Sequence, residues 1–185
     1  LYKPESREII LHNKNFESDN ELMYTAIHEY AHHLQFCSSA KPVSARAHTT
    51  HFYSLFHSLL YEAETLGIYA NPFETIDEFT ALTRRIRDKV LAVDGRLMKE
   101  LGGLLLEAQQ LCDKHHASFS DYLDRVLRPA RAAAASIIKT KTLDLDPSPG
   151  FETMKTLTRI GDPDLRRDAE QALRGDSSLD MIRER

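Results

Sequence analysis

His28-Glu29-Tyr30-Ala31-His32 is an HExxH motif. On a helix, residues i and i+4 lie one above the other on the same face. Both imidazoles can therefore reach one Zn²⁺ at about 2.0–2.1 Å. Glu29, beside the first ligand, can approach a water there from the side. The chemistry this spacing offers is metal-assisted hydrolysis. Zinc lowers the pKa of a water toward roughly 7, a carboxylate takes its proton, and the hydroxide attacks a polarised carbonyl. Such a site needs a third protein ligand and one open position. Five of the nine histidines lie between His28 and His51, so candidates are close at hand. His33 points about 100° away from the pair and reads as a packed or partly exposed side chain. Cys37, five residues after His32, points off the ligand face and reads as a buried structural thiol.

The elements that must position these residues can be read from the pattern around them. Arg7–His12 reads as a short strand. Ser18 with Glu21 three residues on has capping-box spacing. Leu22, Met23, Ala26, Ile27, Ala31 and Leu34 then recur with helical period, which predicts a helix over about 19–37. A break follows at Ser38–Pro42. A second helix is expected from Ser44 to Leu66, ended by Gly67, with His48, Phe52, Leu55, Leu59 and Glu62 along one face. His57 falls off that face and reads as surface.

The strand, the polar loop and the segment from Thr25 to Leu34 together resemble a zincin metallopeptidase. That resemblance covers about residues 5–70. It implies a zinc site, and a substrate peptide laid extended along the strand that borders the cleft. His48-Thr49-Thr50-His51-Phe52 resembles the HGxxF segment that supplies the third histidine in SprT-like proteases, with Thr49 in place of the glycine. His51, one turn along, is a rival ligand. Glu62, Glu64 and Glu78 are others, and would make the site like that of ImmA/IrrE-type peptidases, which this chain also resembles in the HExxH helix. His48 and Glu62 are 14 residues apart. That is about 21 Å along a straight helix, so the two exclude each other as ligands. Tyr53 and Tyr61 both offer a hydroxyl for a developing oxyanion, and spacing selects neither.

The rest of the chain reads as helical. Ile76–Leu101 is a long helical stretch, with a break expected at Gly95 and a hinge at Gly102-Gly103. Leu104–His115, Ser120–Leu127 and Pro129–Lys141 suggest a helix-turn-helix unit over 104–141, and two more helices follow a linker at Asp144–Gly150. Five basic and no acidic residues lie between Arg125 and Lys141, the local bias that phosphate contacts need. The whole chain carries a formal charge of −4, against binding to nucleic acid by bulk charge alone.

The expected fold is α+β and mostly helical: a zincin-like core over 1–101 with a small β element, then a helical region over 102–185. The expected activity is zinc-dependent hydrolysis of a protein or peptide, with His28, His32 and His48 on the metal and Glu29 as general base. The alternative is a DNA-associated regulator with a zincin fold and little turnover. No apolar run is long enough to cross a membrane. With two cysteines and no apolar stretch in Leu1–Pro4, a cytoplasmic setting is the expectation.

Overall fold

The computed structural model describes residues 1–12, 16–38, 48–174 and 178–183. It is mostly helical with one small antiparallel sheet. The chain packs as two compact units, one from residues 1–77 with 172–185 and the other from residues 78–171.

The first unit begins with a hairpin of β1 (Tyr2–Lys3) and β2 (Glu8–Ile9), with Tyr2 opposite Ile9 and Lys3 opposite Glu8. Ile10 N–H adds one more bond to the Leu1 carbonyl at 2.9 Å. The strand expected over Arg7–His12 is thus shorter and has a partner that the pattern did not reveal. Arg7 sits at φ 54°, in the left-handed region, and belongs to the turn rather than the strand.

Helix α1 (Asp19–Ser38) starts with a variant of the expected capping box, in which the glutamate reaches the residue before the cap. The Ser18 hydroxyl accepts from Glu21 N–H at 3.2 Å, and the Glu21 carboxylate accepts from Glu17 N–H at 2.9 Å. Helix α2 (Thr50–Thr65) is capped by Thr49, whose hydroxyl accepts from Phe52 N–H. The expected start at Ser44 is too early: His48 and Thr49 are not helical, so His48 lies ahead of α2 rather than on its face, while Ser44 itself and most of the Ser38–Pro42 break lie outside the described residues. Gly67 follows the end of α2 at φ +70°, a conformation that glycine adopts without strain. Ala31, Phe52 and Phe56 form the core between α1 and α2, with Ile27, Leu59 and Leu60 packed around them. The Asn20 side chain clamps the far end, donating to the Ala70 carbonyl and accepting from Ala70 N–H. Asn71 caps the short α3 (Pro72–Thr75).

In the second unit, which takes α4 (Asp77–Ile86) from its second residue on, α4, a π-wound segment (Arg87–Leu91) and α5 (Ala92–Lys114) follow without a break. Neither the interruption expected at Gly95 nor the hinge expected at Gly102-Gly103 exists, so the domain boundary expected after Leu101 falls inside α5. The two glycines serve close packing instead. A Cβ at Gly95 would lie 2.1 Å from the Pro147 carbonyl oxygen, and one at Gly102 would lie 2.7 Å from that of Ile137. Leu104–His115 is accordingly the end of α5, not the first helix of a helix-turn-helix unit.

Ser118 caps α6 (Phe119–Tyr122), which runs into a π turn (Leu123–Leu127) ended by Arg128 at φ 59°. Pro129 lies just outside α7 (Arg131–Thr142) rather than in its first turn. Leu105, Leu123, Ala134 and Ile137 make the core of this unit, and α8 (Phe151–Leu157) adds Phe151 to its edge. After α9 (Pro163–Ala172), the chain returns to the first unit, where α10 (Leu179–Arg183) packs on α2 with Ile182 buried. Among the described residues no helix is long and apolar enough to cross a membrane.

Candidate metal centre

Helix α1 presents His28 and His32 one turn apart, ring centroids 4.9 Å from each other. His48 immediately precedes the residue that caps α2. Its Nε2 lies 3.3 Å from His28 Nε2 and 3.2 Å from His32 Nε2. The three ligand atoms all fall within 4.8 Å of one another, an arrangement that can hold a metal ion.

The donor set can be tested against that use. Each imidazole nitrogen carries either a proton or a lone pair, never both. A proton shared between two of the three leaves the third facing a like group. One cation facing three lone pairs satisfies them all. Tetrahedral bonds of about 2.0–2.1 Å put ligand nitrogens roughly 3.3–3.4 Å apart, close to the spacing His48 keeps to both partners.

Aromatic packing holds the rings in place. The fully buried Phe52 stacks on His32 at 4.3 Å and lies 4.7 Å from His48 and 5.1 Å from His28. Phe56 meets His28 edge-on. His32 Nδ1 is buried and has no hydrogen-bond partner among the described residues, so stacking rather than a hydrogen bond fixes that ring. A second contact joins the helices beside the site. The Thr49 hydroxyl that caps α2 also donates to Oε1 of the buried Gln35 on α1. Sequence alone did not reveal this link, although Thr49 three residues before Phe52 has N-cap spacing. Thr49 thus ties α2 to α1 beside the three histidines.

Burial, and then the neighbouring imidazoles, hold His28 and His32 below the ordinary histidine range, with Glu29 pulling the other way. His32 is lowered to about 4. The rings are therefore neutral, with lone pairs available, at neutral pH. A consequence for the metal-free chain follows by linkage. Between pH 6.5 and about 4 the unfolded chain binds a proton at His32 that the native chain does not. Stability is expected to be flat above pH 7 and to fall as the pH is lowered through that window. Thermal midpoints of metal-free protein from pH 4.5 to 8 check this, and a midpoint that rises on acidification would contradict it.

Glu29 is half-buried on the side of α1 that faces the hairpin, its Oε1 3.3 Å from the Leu1 amino group. His33 turns away from the three histidines as expected, and Nδ1 is hydrogen-bonded to the Tyr2 hydroxyl at 3.0 Å. Two other expectations fail. Cys37 is exposed, its sulfur 3.8 Å from His33 Nδ1. His57 is half-buried, because α10 covers that side of α2 and Ser178 Oγ lies 2.7 Å from its Nδ1.

The rival ligands lie elsewhere. His51 is 3.3 Å from Ser38 Oγ. Glu62 lines an apolar groove of about 280 Å³ with Ala26, Ile27, Tyr30 and Leu59. Glu64 lies in the last turn of α2, and Glu78 belongs to the second unit. None of these joins the histidines in the cluster. Of the two tyrosines, Tyr53 lies beside His48 with rings 5.9 Å apart. The basic residues proposed for nucleic acid are partly engaged within their own unit. Arg125 pairs with Asp121, Arg131 with Asp124, and Lys139 donates to the Thr158 carbonyl. No protein-family model, curated protein or solved structure matches the chain.

Proposed function

We propose that this protein is a zinc-dependent peptidase. The observation that carries the reading is the convergence of His28, His32 and His48 through Nε2, with a glutamate next in sequence to the first of them. Three histidine nitrogens, with the His48 nitrogen 3.3 and 3.2 Å from the other two, would leave one position open on a tetrahedral ion, the ligand pattern of a catalytic rather than a structural zinc site. When bound there, zinc supplies a Lewis acid that polarises a carbonyl and makes a water acidic near pH 7.

The chain's own residues would do the rest. The Glu29 carboxylate accepts the proton of the attacking water and returns it to the leaving amine. Phe52 keeps bulk water from the floor of the site and holds the three rings in register. Tyr53 places a hydroxyl-bearing ring at its edge, beside His48. The β1–β2 hairpin, which packs on α1 through Tyr2, offers a short strand edge to an extended segment of substrate.

Elemental analysis of the full chain, prepared with excess zinc and then dialysed, is the direct test. One zinc per chain is the expected result. A metal-replete preparation that retains none would overturn the reading.

A further inference from the structure

Helix α5, which continues the run of α4 and the π segment, has two unlike faces. One buries Gly95, Gly102, Leu105 and Cys112 against its own unit. Away from it lies a line of aliphatic side chains: Ile86, Val90, Val93, Leu97, Leu104 and Leu111, each 37–57% exposed. Their spacing is a heptad. Val90, Leu97, Leu104 and Leu111 recur every seven residues, and Ile86 and Val93 occupy the alternate seam position. Every residue from Arg84 to Leu91 is exposed, so through the π turn the line is continued by the spacing of Ile86 and Val90 in the sequence. Six aliphatic side chains, each about half exposed, amount to roughly 500 Å² on one line. That is as large as the largest apolar patch usual on a monomer. With the stems of flanking charged residues it approaches the ~800 Å² per partner of a standard interface.

We propose that this line is the seam of an antiparallel homodimer. The charges select both the partner and its direction. Continuing the heptad places Glu100 and Glu107 at the seam position that Ile86 and Val93 hold. In a parallel pair each glutamate would face its own copy, a repulsive arrangement. In an antiparallel pair crossing between Val93 and Leu97, Glu100 comes opposite Val90, with Arg87 and Lys89 on either side. Glu107 comes within a turn of Arg84 and Arg87. All five are exposed, and none of them has an ion pair among the described residues. The basic end of the run in one copy thus meets the acidic end in the other. The seam lies wholly in the second unit and does not depend on the metal centre.

Sedimentation equilibrium of the full chain from 1 to about 200 µM, at low and moderate salt, tests the proposal. A reversible dimer is expected. Leu97→Lys with Leu104→Lys should weaken it by at least ~100-fold, with the thermal midpoint held, because both side chains are exposed. Glu100→Gln with Glu107→Gln should weaken it several-fold, and Arg87→Glu with Lys89→Glu should do so more strongly. Adding Glu100→Lys and Glu107→Lys to the latter chain should restore it. A chain that stays monomeric throughout, or a dimer indifferent to the leucine changes, would overturn the seam. A tighter dimer with the glutamines would overturn the antiparallel order.

Discussion

Glu29→Gln is expected to lower peptide cleavage by roughly 10²–10⁴-fold, the range general acid–base catalysis contributes. The substitution keeps the shape of the side chain and its capacity to hydrogen-bond, but removes its ability to take a proton. The three nitrogens that face one another belong to His28, His32 and His48, and Glu29 is turned toward the hairpin. Zinc content should therefore stay at one per chain. The rate is read as initial cleavage of an unfolded protein substrate, with zinc measured on the same sample. Cleavage at the wild-type rate would remove Glu29 from its proposed role. Loss of both zinc and cleavage would mean that the side chain supports the site instead of acting on the substrate.

The second large effect is on metal affinity. His48→Ala is expected to weaken zinc binding by roughly 10²–10³-fold. That figure follows from sharing the ~10–16 kcal/mol of a four-ligand structural zinc site among its ligands. His48 suits the experiment better than His32. It is exposed, whereas His32 is 4% exposed and its replacement by alanine would open a cavity beside Phe52. At fixed excess zinc, a loss of that size removes about 2.7–4.1 kcal/mol of metal-linked stabilisation. The zinc-dependent rise in thermal midpoint should shrink by on the order of 10 °C. Glu62→Ala is the control, since Glu62 lies in the groove with Ala26 and Tyr30 and should leave zinc in place. If Glu62→Ala lost the metal and His48→Ala kept it, the ligand set would be wrong.

What could be read in advance divides along physical lines. The motif helix was legible because everything that defines it is local: a serine cap, a glutamate three residues on, and apolar residues at helical spacing. The candidacy of His48 followed from a short motif, and its Nε2 does lie beside those of His28 and His32. The misreadings came from partners far along the chain. Gly95 and Gly102 look like helix breaks until Pro147 and Ile137 are seen against them. His57 looks like surface until α10 returns from more than a hundred residues away. The first strand was missed because two residues carry no period to read. Nothing in the composition of 87–91 or 123–127 marks either π turn.

The Thr49–Gln35 contact bears on which ion the site prefers. Thr49, next in sequence to His48, has a hydroxyl that is committed twice, once to the cap of α2 and once across to α1. The three nitrogens are thus spaced by the protein before any ion arrives. Copper(II) and nickel(II) favour square-planar or tetragonal surroundings and would have to spread them apart, against the Phe52 ring beneath. Zinc has no geometric preference of its own and accepts the spacing offered. Copper(II) binds nitrogen ligands more tightly than zinc in general. In the zinc site proposed above, the tie that Thr49 makes between α2 and α1 works against that order and narrows the advantage that the ligands alone would give to copper(II).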